Sequence, residues 1–500
     1  MSLISAIERV QSVDAYTENG APTFSSTLNK NLDMFGIFSA KRSNPDEALG
    51  LFMSAYGEDP KLAVLNLFYS RDIRQGQGER EIFRRCIDEY FKTNHYSLGI
   101  LELIPEYGRW DDLINLVLHE NQEVVKKVCE IIRRQLNQDI IDSHPSLMSK
   151  WIPLPNSVNS KFRKKVAWKL LELLDGDTRP EKQRLWRKLI VMLRKKIILT
   201  ERLMSEGKWD QIPYEKITSR SFKKNYGAFL RHDQERFEEF ISGVKKGEKK
   251  INASCVYPHE IICDVRDEAQ NENVLEEIWK NIPNIDINGS ILTMVDVSGS
   301  MLCTVGNTRA NAMDISIGLG LYTAERCKGP FKDYIISFHS EPKLIHVPPT
   351  MTLKQRIKKI MNEGMGFDTN IQKAFELVLK AAVEHGVPEN EMPDSILIIS
   401  DMEFNQIEDN PYYGVAETNY EYIKKIYSDA GVKLPQLVFW NVAARGNNLP
   451  VQKDENGTIL VSGFSINTLK LICQGCTPEQ FMLDVLYSDR YRPVLEALAA

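Results

Sequence analysis

Up to residue 285, apolar side chains recur at three- and four-residue intervals, and strand-like alternation is lacking. Stretches of this kind run over Asn44–Tyr56, Lys61–Arg71, Gly78–Lys92, Asn121–Gln138 and Ser160–Leu174. That spacing predicts amphipathic helices. So long a run of helices joined by short loops predicts a HEAT-like helical-repeat solenoid or ring rather than one bundle. The stretch YGRWDDL (Tyr107–Leu113) returns as EGKWDQI (Glu206–Ile212). Gly, a base, Trp and Asp fall in register. The echo predicts two similar turn-to-helix junctions, with Asp111 or Asp210 capping the helix that follows.

The pattern changes after residue 285. Ser290–Met301 is an apolar strand ending in small polar residues, and a long helix, Ala310–Cys327, follows. Strand Asp333–Phe338, helices Thr352–Asn362 and Asn370–Glu384, and the Ile/Leu strand Ser395–Ser400 come next. Helix Tyr420–Tyr427, strand Gln436–Asn441, a hairpin-like Thr458–Gly463 and two closing helices complete the chain. Strands alternating with helices predict a doubly wound α/β sheet. The expected division is therefore a helical domain over 1–285 and an α/β domain over 286–500. No Pro/Gly/Ser-rich linker separates them. Val265–Asn284 instead carries Val274, Leu275, Ile278 and Trp279 on one stripe, which predicts burial at the junction.

Composition adds a charge asymmetry. The 500 residues are 43% hydrophobic and 26% charged, which excludes disorder, a collagen-like chain and a disulfide mini-scaffold. The net charge is −5, yet Lys150–Lys250 holds 26 Lys and Arg against 13 Asp and Glu, a net +13. Such a block within helices is the footprint of a polyanion-binding surface. The candidate contacts are Lys161, Arg163, Lys164, Lys165, Arg187, Lys188, Arg194, Lys195, Lys196, Lys216, Arg220, Lys223, Lys224 and Arg231. Adjacent pairs cannot share one helix face, so about half would reach phosphate. The eight cysteines are scattered and read as reduced thiols. The first residues include Glu8 and no long apolar core, and no apolar run approaches the ~18 residues of a membrane span. A cytoplasmic protein with no membrane partner is expected.

The sharpest chemical signal is Asp296-Val-Ser298-Gly-Ser300 at the end of a strand. Gly366-Phe367-Asp368-Thr369-Asn370 opens a later helix, and Ser400-Asp401 ends another strand. Loops at the carboxyl ends of strands in a doubly wound sheet converge on one crevice. Two Ser hydroxyls, a Thr hydroxyl and two carboxylates would meet there. These hard oxygen donors suit Mg²⁺, or Mn²⁺, with waters completing the octahedron. The set resembles the metal-ion-dependent adhesion site (MIDAS) of von Willebrand factor A domains. The resemblance implies Ser298, Ser300 and Thr369 as ligands, and Asp296 and Asp401 acting mainly through water. It is not a G-x-S-x-G elbow, because Asp296 holds the first Gly position.

Other motifs carry less. Cys473-Gln-Gly-Cys476 is a lone CxxC, and the eight His form no H-E-x-x-H. Gln75-Gly-Gln-Gly78 lacks the preceding strand of a phosphate loop. Trp110, Trp151, Trp168, Trp186 and Trp209 read as helical core rather than base-stacking platforms.

Over nearly its whole length the chain resembles the TROVE-plus-A-domain proteins, the Ro ribonucleoprotein family, and most closely that family's less studied branch. The phrases that carry this are Arg71–Arg80 (RDIRQGQGER), the GRWDDL turn and Lys249–Ile261 (KKINASCVYPHEI). The resemblance implies a ring of helical repeats closed by the A domain. It also implies a non-enzymatic scaffold that binds small structured RNAs and the single-stranded ends of misfolded ones. The alternative is a protein-assembly module whose metal site captures a partner's Asp or Glu, with no RNA.

Overall fold

The computed structural model describes residues 13–155, 160–176, 179–197, 200–253, 256–268, 271–287, 289–339, 341–364, 368–408, 417–472 and 475–499. Cys255, Gly366, Phe367 and Cys473 lie outside the described residues.

The predicted helices form with small shifts at their ends: Pro45–Glu58, Pro60–Arg71, Glu81–Tyr90, Gln122–Ile141 and Lys161–Asp175. Their starts have local causes. Asn44 and Asp59 accept hydrogen bonds from first-turn amides, and each precedes a Pro at the first helical position, where the missing N–H costs nothing. Asn121 and Ser160 cap their helices in the same way. Short turns intervene at Leu98–Glu102, Ile104–Tyr107, Trp110–Ile114 and Asn115–Leu118.

The two echoing heptapeptides end up different. Trp110–Ile114 is α-helical, and its cap is Asp112, not Asp111: the Asp112 carboxylate accepts the Arg109 amide at 2.9 Å. Asp112 also takes Arg71 at 2.7 Å and Arg84 at 2.6 Å. The close approach leaves no room at Gly108, where a Cβ would lie 2.5 Å from the Asp112 oxygen. The second copy makes only a 3-10 turn, Trp209–Gln211, with no side-chain cap, because no carboxylate stands three residues into it.

The C-terminal part is a six-stranded sheet. Its strands are β1 (Ile291–Val295), β2 (Tyr334–Ser337), β3 (Lys343–His346), β4 (Ser395–Ser400), β5 (Gln436–Asn441) and β6 (Thr458–Ser462). The order is β3-β2-β1-β4-β5-β6, parallel except for the edge pair β2–β3. The expected hairpin at Thr458–Gly463 is instead a parallel strand on β5, with Leu437 opposite Thr458. Asn456-Gly457 makes a turn, but the segment before it supplies no partner strand.

The helical and α/β parts share one hydrophobic core. Helix Lys30–Ile37 packs on β6, and the Ser462 hydroxyl donates to the Phe35 carbonyl at 3.0 Å. Helix Pro258–Arg266 packs against helix Ala312–Arg326, whose other side covers β1. Val274, Leu275, Ile278 and Trp279 are all buried, and the Trp279 indole donates to Glu325 at 2.8 Å. The closing helices Pro478–Leu486 and Arg492–Ala499 return to the first helices, where Arg490 grips Asp72 at 2.8 Å. The RDIRQGQGER stretch is spent on this joint. Arg71 binds Asp112, Gln77 binds Tyr69 and Thr468, and Glu79 binds Arg42. No helix among the described residues is long and apolar enough to cross a membrane.

Candidate functional site

Strand order reverses between β1 and β4, so their carboxyl ends open a crevice. Asp296 follows β1 there, its amide bonded to the Ile399 carbonyl at 3.0 Å. Its carboxylate is fully buried. Oδ1 accepts the Ser298 amide at 2.9 Å and Oδ2 the Ser400 hydroxyl at 2.6 Å. The Ser298 and Ser300 hydroxyls lie 3.0 Å apart. Asp401 follows β4, and its Oδ1 accepts the Glu403 amide at 3.2 Å. Its Oδ2 is buried and accepts no hydrogen bond among the described residues.

Thus Asp296, Ser298, Ser300 and Asp401 are brought together. Thr369 is also buried, and its backbone exchanges hydrogen bonds with Asn405 in the loop after β4, at 3.0 and 3.1 Å. No hydrogen bond among the described residues joins its hydroxyl to the other four side chains.

The electrostatics favour a cation. Burial first, and then the Asp401 charge, push the Asp296 carboxyl up to about 7. Burial likewise raises Asp401, against the Ser300 hydroxyl, which lowers it. Two buried carboxylates sharing a crevice are costly without a counter-charge. Among the described residues no three His, Cys, Asp or Glu side chains gather to hold an ion unaided. An ion bound there would draw on the hydroxyls as well, and hydroxyls with carboxylates suit a hard divalent ion. The donor set fits one, as does Asp401 Oδ2, which accepts no hydrogen bond among the described residues and has the Arg445 guanidinium no nearer than 3.8 Å.

Three neighbours were not singled out from the sequence. Arg445, after β5, donates to the Ser300 carbonyl at 2.7 Å and lies 3.8 Å from Asp401 Oδ2. Glu18 accepts from Arg445 at 2.6 Å. Glu403 is buried, which raises its pKa, and it accepts the Glu18 amide at 2.7 Å. The rule that loops after strands converge would have found Arg445, four residues beyond β5.

The basic residues divide into two groups. Lys161, Lys164, Lys165, Arg187, Lys188, Lys195, Lys216, Lys224 and Arg231 are exposed. Others serve the fold. Arg163 donates to the Trp151 carbonyl at 2.8 Å, and Arg194 to Ser149 at 2.8 Å and Ile152 at 2.6 Å. Lys196 caps the end of helix Gln122–Ile141 through the Ile140 and Asp142 carbonyls. Arg220, although exposed, pairs with Glu260, and Lys223 with Asp264. Trp186 is core as expected, and Trp110, Trp151 and Trp209 are half-buried. Trp168 is not core: it is 38% exposed, on the same helical stripe as Lys161, Lys164 and Lys165, because the helix turns its Val166/Leu170 side inward. Cys86, Cys129, Cys263, Cys303 and Cys327 are free thiols.

Comparison with known proteins gives the following similarities. Residues 17–145 and 175–292 match the Domain of unknown function DUF2828, and residues 290–484 match the Domain of unknown function DUF7788. An uncharacterized protein of Acanthamoeba polyphaga mimivirus is 26% identical over 524 aligned positions, covering 96% of this chain and 88% of the viral one. Among solved structures, the crystal structure of the Deinococcus radiodurans RO (RSR) protein aligns over 94% of this chain and 95% of its own, with a TM-score of 0.41 and 13% identity. By sequence, then, the chain is similar to two successive domain families of unknown function, and through nearly all its length to a viral protein.

Proposed function

We propose that this protein is a non-catalytic RNA-binding scaffold that carries a divalent-cation site. The observation behind the RNA reading is the outer face of two packed helices, Lys161–Asp175 and Pro180–Lys196. Lys161, Lys164 and Lys165 on the first helix, and Arg184, Arg187, Lys188 and Lys195 on the second, face solvent. Among the described residues no carboxylate pairs with any of them. A face so charged and so little compensated gains most from phosphates, through release of condensed counterions. Preference would fall on unpaired bases, since the deep major groove of an RNA duplex hides its base edges.

In the crevice, Ser298, Ser300 and Thr369 would hold Mg²⁺ or Mn²⁺, with Asp296 and Asp401 acting mainly through water. With few anionic donors, the ion would stay electron-poor and take an acidic group from outside. A second reading follows: a protein-assembly module that captures a partner's Asp or Glu. Asp401 Oδ2, which accepts no hydrogen bond among the described residues, favours the metal on which that reading depends.

Titration with single-stranded RNA at several salt concentrations tests the first reading. The log–log slope should be several units, at about 0.7 per phosphate neutralised. Changing Lys161, Lys164, Lys165 and Lys195 to Gln should lower both affinity and slope, the slope by about 3 if all four reach phosphate. Binding that is absent, or a slope unmoved by the substitutions, would overturn it.

A further inference from the structure

Residues 13–24 lie as a strap across the loops that shape the crevice. The Thr17 hydroxyl donates to the Phe404 carbonyl at 2.7 Å and the Asn19 amide group to the Glu403 carbonyl at 2.6 Å. Gly20 bridges Asn405, and Phe24 bridges Leu449. Glu18 is held at its backbone by the buried Glu403 carboxylate, so its side chain is presented from a fixed point. That side chain holds one arm of Arg445 at 2.6 Å. The other arm is occupied by the Ser300 carbonyl at 2.7 Å. The guanidinium therefore stands 3.8 Å from Asp401 Oδ2 without bonding to it. Its charge reaches the carboxylate, while the oxygen stays open.

From this arrangement we propose that Arg445 is a resident cation competing with the divalent ion for Asp401, and that Glu18 holds it back, so the pair sets the metal affinity of the crevice. The inference rests on reading the crevice as a metal site. A positive charge held this close to a ligand repels a second cation; Arg445 is exposed, so solvent and salt weaken the effect, but Asp401 itself is buried and its side of the pair is screened less. Glu18 acts in the opposite sense. It keeps the guanidinium off Asp401 and adds its own negative charge near the site.

The two residues therefore predict effects of opposite sign, which a purely structural role for the pair would not give. Calorimetric titration of the full chain with Mn²⁺ alone reads this directly. Arg445→Gln should bind the ion at least tenfold more tightly than the wild type. Glu18→Gln, which frees the guanidinium to swing onto Asp401, should bind at least threefold more weakly. Arg445→Lys keeps the charge without the fork and should stay within threefold of the wild type, which guards against a general disturbance of the loop. Ion binding by Arg445→Gln but not by the wild type would support the strongest form of the competition. Weaker or unchanged binding in Arg445→Gln, with the wild type binding normally, would overturn the proposal and leave the metal reading standing. No binding by either would remove both.

Discussion

Asp112 is the carboxylate on which the first helices converge, since Arg71, Arg84 and the Arg109 amide all reach it. Burial alone would raise its pKa. The two guanidiniums outweigh burial and hold it below the ordinary 3.8. A depressed carboxylate contributes stability above its unfolded pKa and loses it as pH falls through the folded one. The acid limb of unfolding below about pH 4 should therefore shrink in Asp112→Asn. That variant should also lose about 3–5 kcal/mol at pH 7, because Arg71 would be left buried and half-paired. Urea unfolding across pH checks both, and an Asn variant as stable as the wild type would sink the account. In the crevice, Mg²⁺ or Mn²⁺ should raise the melting temperature of the wild type but not of Asp296→Ala. An equal rise in both would mean the ion binds elsewhere. Asp296, Ser298, Ser300 and Asp401 were legible because each sits at a strand end, and strand ends can be read locally. Glu18 was not, because its partner Arg445 lies 427 residues away and no local pattern marks the pair.

At the scale of elements, the helix Ala312–Arg326 is closely packed on two sides. A Cβ on Gly318 would lie 2.8 Å from the His259 amide nitrogen, and one on Gly320 2.3 Å from Val295 on the opposite side. The helix is thus pressed between the helical part and the sheet. Gly318→Ala should cost about 1–3 kcal/mol, because backbone rather than a flexible side chain must yield. Gly50, inside helix Pro45–Glu58, has nothing within 4 Å of its would-be Cβ. Gly50→Ala should stabilise by about 0.5–1 kcal/mol from helix propensity alone. Thermal melts compare the two, and changes of the same sign would refute the packing argument. The buried parallel strands β1, β4 and β5 were read correctly because both of their faces are covered and the apolar run is continuous. β3 was missed: it has four residues, only Ile345 is buried, and so it carries no apolar run.

For the whole molecule, the shared core predicts a single cooperative unfolding transition, although the chain reads as two successive patterns. Limited proteolysis should release no stable fragment cut near residue 270. Two separate melting transitions, with ready cleavage there, would show independent units. The excess of positive charge was visible in composition, but its division between surface and structure was not. Lysines and arginines adjacent in sequence point to different sides of a helix, and Arg163, Arg194 and Lys196 are taken up by carbonyls of neighbouring turns.

The docking of helix Lys30–Ile37 on β6 also bears on how the chain is made. Phe35 meets Ser462 across 427 residues. At a ribosomal rate of about 5–20 residues per second, roughly 20–85 s pass between the appearance of the first and of the second. During that interval helix Lys30–Ile37 can pack on helices Pro45–Glu58 and Pro60–Arg71, but the face that docks on β6 has no final partner, because that strand is the last to emerge. Release before residue 458 would leave that one face of the helix exposed and open to aggregation.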